Sequence, residues 1–167
     1  MRDATAADAG ALATFAAAVF AETYATTALP ADIAAHLATH FSAVRQGAEI
    51  ADPARRTWLA EVDGTLAGYA QLRSGTPTPA GVVVGASGPV LELQRLYVGS
   101  PWHGRGVAQA LMSTCMASAS GGLWLNVYKA NARAIAFYEK AGFRIVGEVT
   151  FVLGTDPQVD FVMQWSP

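Results

Sequence analysis

With 167 residues, 52% of them hydrophobic, the chain is long enough to bury the core of an α/β domain, and without internal repeats, charge runs or long linkers it is expected to form a single domain over residues 1–167. Its 11 Lys and Arg against 13 Asp and Glu leave a net charge of −2, which gives no basic field to recruit nucleic acid or a membrane surface. One cysteine excludes an internal disulfide, and three histidines without clustered partners give no metal-ligand spacing.

The alanine-rich start carries Arg2, Asp3 and Asp8, so it lacks the positive opening of a signal peptide. Leu12, Phe15, Val19 and Phe20 instead recur at helical spacing, predicting an amphipathic helix over Ala6–Ala25 of a cytoplasmic protein. A second helix is expected over Ala31–Gln46, opened by Pro30. Strands Thr57–Val62 and Thr65–Arg73 follow, joined by Asp63-Gly64, a two-residue hairpin signal. Ser74–Gly88 is rich in Gly, Thr and Pro and predicts a mobile loop.

Val90–Val98 resumes the sheet, Gly106–Ala119 is helix, Leu123–Val127 strand and Asn131–Ala141 helix, with Gly142 as left-handed C-terminal cap. Cys115 shares an apolar helix stripe with Val107, Ala110 and Leu111, which makes it a core residue. Val146–Gly154 and Val159–Trp165 alternate as a last hairpin across Thr155-Asp156-Pro157, and its apolar surface with Trp165 is a candidate homodimer face.

The most informative run is His103-Gly104-Arg105-Gly106-Val107-Ala108, where a strand breaks and glycines open a helix. Unpaired N–H groups at such a helix start bind phosphate oxygens. Gln109 stands where a dinucleotide fingerprint needs a third small residue, and no Gly-Lys-Ser/Thr is present for a triphosphate loop.

The run resembles the coenzyme A loop of the GNAT superfamily of N-acetyltransferases, Gln/Arg-x-x-Gly-x-Gly/Ala. Glu92-Leu93-Gln94-Arg95-Leu96-Tyr97-Val98 before it resembles that family's fourth strand. Leu123–Val127 with Asn131–Phe143 resembles its fifth strand and catalytic helix. The resemblance spans nearly the whole chain. It implies a mixed, mostly antiparallel sheet flanked by helices on both faces, acetyl-CoA as cosubstrate and no metal. Only Met1-Arg2-Asp3 precede the run Ala4-Thr5-Ala6-Ala7-Asp8 that leads into the first helix, so the family's first edge strand is expected to be short or missing.

Acetyl transfer from a thioester needs a neutral amine, a polarised carbonyl and a proton for the departing thiolate. An alkyl amine with a pKa of about 10.4 is neutral in only roughly one molecule per thousand near neutral pH. The resemblance assigns Tyr138 as general acid, against a plain helix-core tyrosine, and Glu92 as candidate base, against a solvated strand carboxylate. It gives the backbone of Leu96, Tyr97 and Val98 to the coenzyme's amides and the acetyl oxygen, freed by an irregularity in the strand. Gly104, Gly106, Val107 and Ala108 would cradle phosphate, with Arg105 adding charge and His103, in place of the usual Gln or Arg, donating from its imidazole. Asn131 would contact the coenzyme or cap its helix, and Lys140 would reach the phosphate end or lie solvated.

The spacing of Gly147, Phe151, Gly154, Asp156, Gln158, Asp160 and Met163 resembles the PaiA-type polyamine N-acetyltransferase branch. The acceptor implied is a small-molecule primary amine, with Glu22 and Asp32 near its entrance. Two alternatives stand beside it: a protein N-terminal or lysine acetyltransferase, and a non-catalytic acyl-CoA-binding module.

Overall fold

The computed structural model describes residues 1–25, 28–85, 88–153 and 156–167. Its strands are β1 (Arg2–Asp3), β2 (Arg55–Val62), β3 (Thr65–Arg73), β4 (Leu91–Val98), β5 (Leu123–Tyr128), β6 (Arg144–Leu153) and β7 (Asp156–Trp165). They form one sheet in the order β1-β2-β3-β4-β5-β7-β6, antiparallel except where β4 meets β5. The helices are α1 (Ala9–Tyr24), α2 (Pro30–His40), α3 (Ala43–Ala51), α4 (Val107–Ala117) and α5 (Ala132–Lys140).

Strand alternation divides the core between the two faces of the sheet. Trp58, Ala70, Leu93 and Leu125 point one way and bury α4 and α5 through Leu111, Cys115 and Tyr138. Leu59 and Tyr69 point the other way, against Leu12, Ala16 and Phe20 of α1 and Phe41 before α3. Cys115 is fully buried, and that burial pushes its thiol up to about 12, so it is core and no nucleophile.

Local signals placed several elements as expected. Asp63 and Gly64 both take positive φ in the β2–β3 turn, Gly142 does so after α5, and Pro30 opens α2. The edge strand is present but only two residues long, with Arg2 opposite Leu59 and Asp3 opposite Trp58. Side chains secure it: Arg2 reaches Asp8 and Glu61, each at 2.7 Å, and Arg56 reaches Asp3 at 2.9 Å.

Three expectations are corrected. The helix expected over 31–46 is two helices, because Phe41 turns into the core and the Ser42 hydroxyl accepts from the Arg45 N–H at 3.2 Å as a new N-cap. The expected mobile loop is docked over its described part: the Gln164 side-chain amide accepts from Val83 N–H at 2.9 Å and donates to Val83 C=O at 2.7 Å. The last hairpin is longer than expected, with Asp156 and Pro157 already in β7, while Gly154 and Thr155 lie outside the described residues. Trp165 of this hairpin is partly buried against the chain's own core, while Ile145, Val152 and Val159 stay exposed.

Candidate active site

β4 and β5 pair only at Leu91 with Leu123 and Glu92 with Trp124, then part. The cause lies on the other edge of β4. Leu93 pairs with Leu72 and Arg95 with Gln71, so Gln94 is an extra residue, a bulge that bends the strand away. Arg55, hydrogen-bonded to the side-chain oxygens of Gln94 and Gln71, holds the bulge. Beyond the split, Leu96, Tyr97 and Val98 stay paired with β3 while their β5 side has no ladder partner. The irregularity expected in this strand therefore sits at Gln94, just upstream of the three residues it exposes.

The gap is a cleft of about 300 Å³, and Leu96, Tyr97 and Val98 line it. At one end Gly104 and Gly106 adopt φ of 73° and 82°, and a Cβ on either would meet no atom within 4 Å. The glycines are thus required by backbone conformation and leave open space beside them. Backbone bonding here runs from His103 to Ser100 and from Arg105 to Trp102, and resumes from Ala110 to Gly106. The N–H groups of Gly104, Gly106, Val107 and Ala108, all four residues lining the cleft, have no backbone acceptor among the described residues. With the positive end of the α4 dipole behind them they suit a pyrophosphate, so the cradle fits coenzyme A.

Charge reaches this cradle from an unexpected residue. His103 Nε2 donates to the Val98 carbonyl at 2.9 Å, which leaves Nδ1 as an acceptor for Arg133 Nη1 at 2.9 Å. Both ring nitrogens are engaged, so His103 is not the phosphate donor expected of it; it orients Arg133, which lines the cleft. Arg105 stacks 5.5 Å over the Trp102 ring, and neither it nor Lys140 at the end of α5 lines the cleft. Arg133 carried no local sequence signal beyond its place two residues after Asn131. Its role depends on His103, 30 residues away.

Tyr138 projects from α5 into the cleft, wedged edge-on between Phe137 and Phe143 at 5.4 and 5.7 Å. Burial pushes its phenol well above the usual tyrosine range, so it keeps its proton at working pH. Asn131 lines the cleft and caps α5, its Oδ1 accepting from the Ala134 N–H at 3.1 Å.

None of the three carboxylates expected at the acceptor side lines the cleft itself. Glu92 accepts from the Thr76 hydroxyl at 2.8 Å and does not line the cleft, because it lies before the bulge where β4 still pairs with β5. Glu22 accepts from the Ser100 hydroxyl and lines a neighbouring hollow that it shares with Val19, Thr23 and Tyr128 as well as His103 and Arg133. Asp32, half-buried in the first turn of α2, does not reach the cleft. The carboxylate that does line the cleft is Asp160 of β7, 8% exposed and pushed by burial up to about 6. Asp160 appeared in the sequence only within a branch-specific spacing, without a role.

A glycine cradle at a helix start, a split sheet edge with free amides and a buried phenol together define an acyltransferase site for a coenzyme thioester. The family model described as the acetyltransferase (GNAT) family matches residues 20–143, and the chain belongs to that family. It is 36% identical over 160 residues to an uncharacterized N-acetyltransferase of Mycobacterium tuberculosis, covering 93% of this chain and 96% of that one. Its fold matches the crystal structure of PaiA N-acetyltransferase from Thermoplasma acidophilum in complex with coenzyme A, with TM-score 0.76 and 21% identity over 99% of this chain and 97% of that one. It also matches ribosomal-protein-alanine N-acetyltransferase from Brucella melitensis, with TM-score 0.66 and 22% identity over 99% and 98% of the two chains. The protein is therefore an acetyl-CoA-dependent N-acetyltransferase. Among the described residues no helix is long and apolar enough to cross a membrane.

Proposed function

We propose that this enzyme acetylates a primary amine of a small molecule, a di- or polyamine in the first instance, by direct attack on the thioester in the cytoplasm. The observation that carries this reading is the roof over the cleft. Val19, Thr23 and Tyr24 of α1 line it from above, so the acceptor side is a half-open slot, partly roofed by a helix, that suits a slender chain better than a folded protein segment.

Acetyl-CoA, when bound, supplies the acetyl group as an activated thioester. The residues of this chain supply the rest. The amides at Gly104, Gly106, Val107 and Ala108, with Arg133, hold the phosphates. The β4 amides of Leu96 and Val98, which alternate towards the gap while Tyr97 bonds towards β3, orient the chain between cradle and acetyl group and polarise the carbonyl. Tyr138, kept protonated by burial, gives its proton to the departing sulfur.

The test is coenzyme release against a panel of 1,4-diaminobutane, spermidine, an aminoglycoside, free amino acids and peptides beginning with Ala or Ser. Diamines and spermidine are expected to give the highest kcat/KM. Peptides proving much better acceptors would overturn the substrate class, and coenzyme binding without turnover on any amine would overturn the enzyme reading of the site.

A further inference from the structure

The cleft passes from one face of the sheet to the other. Leu125 and Val127 of β5 and Phe161 and Met163 of β7 belong to the core beneath α4 and α5, the face that carries Tyr138. Asn126 and Tyr128 alternate to the opposite face, as Asp160 does on β7, where it pairs directly with Tyr128. Tyr97 packs in the α1 core on that same face, and Tyr24 is in the last turn of α1. A coenzyme held by the glycine cradle and an amine entering beneath α1 would thus approach the gap from opposite faces.

On the α1 face the walls converge on one carboxylate. Tyr24 and Tyr128 lie 6.3 Å apart between ring centroids, and Tyr24, Tyr97, Tyr128 and Asp160 all line the cleft. Burial pushes the Tyr24 and Tyr97 phenols upward, and the nearby charge of Asp160 adds to the shift of both. Asp160 itself faces Tyr24 from α1, Tyr97 from β4 and Tyr128 from β5, and its β6 partner is Val149. Among the described residues no Lys or Arg forms a salt bridge with it, and its Oδ1 is buried without a hydrogen-bond partner. A carboxylate desolvated and unpaired inside a protein is costly unless a cation arrives to match it. Tyrosine faces around such a point favour an ammonium ion further.

We propose that Asp160 is the acceptor site's anchor and base: it binds the ammonium group of a slender aliphatic amine inside the box of Tyr24, Tyr97 and Tyr128 and takes its first proton. This rests on the small-amine reading above and adds to it the residue that recognises the amine. Acetylation of R–NH3⁺ removes two protons from nitrogen. The first passes to Asp160 and on to water, freeing the lone pair that forms the C–N bond as the C–S bond breaks. The second replaces the proton Tyr138 gives to sulfur, so the products are one amide, one coenzyme thiol and one proton in solution.

The experiment compares wild type with Asp160→Asn and Asp160→Glu in steady-state assays against 1,4-diaminobutane from pH 5 to 9, with coenzyme A binding measured by calorimetry. Expected are a wild-type acid limb in kcat/KM, its loss in Asp160→Asn with a fall on the order of 10²-fold or more, unchanged coenzyme A affinity, and partial rescue by Asp160→Glu. Independently of turnover and of any variant's folding, the ¹³C carboxyl shift of Asp160 is titrated in wild type bound to coenzyme A, with and without 1,4-diaminobutane. The diamine is expected to lower the midpoint by at least about one pH unit. An unmoved midpoint, or an acid limb retained in Asp160→Asn, overturns the assignment. A lowered midpoint in an enzyme that acetylates none of the amines would support Asp160 as the anchor while the small-amine function fails.

Discussion

His103 and Arg133 form a relay between β4 and α5: the Val98 carbonyl fixes the imidazole, and the imidazole's lone pair fixes the guanidinium, each at 2.9 Å. A neutral ring satisfies both contacts, whereas a protonated one turns a second donor towards Arg133. Arg133→Ala is therefore expected to weaken coenzyme A binding by roughly ten- to a hundredfold, the worth of a charge-assisted hydrogen bond. His103→Phe should weaken it less, and its effect should vanish in the Arg133→Ala background. Calorimetry on the two single variants and the double variant measures the coupling.

Tyr138→Phe keeps the ring packed against Phe137 and Phe143 and removes only the proton. Turnover is expected to fall roughly 10²-fold with coenzyme A affinity unchanged, a loss confined to the transition state. Equal turnover would give the proton transfer to water.

Glu92→Gln retains a side-chain oxygen able to accept from Thr76. Both stability, from urea denaturation, and the free energy corresponding to kcat/KM should stay within about 0.5 kcal/mol of wild type. A large loss restored at high pH would instead return Glu92 to the role of base.

Features encoded by neighbouring residues were legible before the fold. Asp63-Gly64, Gly142, the Gly104 and Gly106 pair and the Asn131 cap each follow from backbone preferences within a few positions. Tyr138 was legible because it sits inside a long local pattern. The placement of Arg133 and Asp160 was not, since the first is oriented by His103 and the second by strand pairing that brings β7 beside β5. Glu92 misled for the related reason that one extra residue, Gln94, decides which part of β4 faces the gap. The break at Phe41–Ser42 did have a local signal, a serine with a free N–H three residues on, which the apolar spacing across it obscured.

The face of the sheet behind the bulge holds a buried ion cluster. Glu49, 3% exposed, receives Arg95 and Arg45 and lies 3.9 Å from Arg55, the residue that holds Gln94. Burial pushes its carboxyl upward, but the Arg95 hydrogen bond and the Arg95 and Arg55 charges outweigh that and hold it below the usual range. Glu49→Ala strands two buried guanidinium groups and is expected to cost about 3–5 kcal/mol in urea denaturation at pH 7. Because the folded carboxyl is depressed, this contribution is present above the ordinary glutamate range and is lost as pH falls through the folded value, so the variant and wild type should converge in acid.

Asp160 and His36 pull stability in opposite directions over one pH window. The Asp160 carboxyl is raised to about 6 from an ordinary 3.8, so the folded state holds its proton more tightly, and stability falls as pH rises from about 4 through 6. The penalty reaches at most about 3 kcal/mol above that window. His36, stacked 4.5 Å from Phe20, is lowered to about 4 by burial and then by the charges of His40 and Arg95. Its contribution is complete above the ordinary histidine value of 6.5 and is lost as pH falls towards 4, again by up to about 3 kcal/mol. The two slopes largely cancel in wild type between pH 6.5 and 4. Asp160→Asn removes one of them, so the variant is expected to be more stable than wild type at pH 8, by up to about 3 kcal/mol, and to lose that advantage steadily towards pH 4. Urea denaturation at half-unit pH steps checks both: a variant no more stable than wild type at pH 8 would mean that Asp160 is not desolvated in solution, and a flat variant profile would mean that His36 is not.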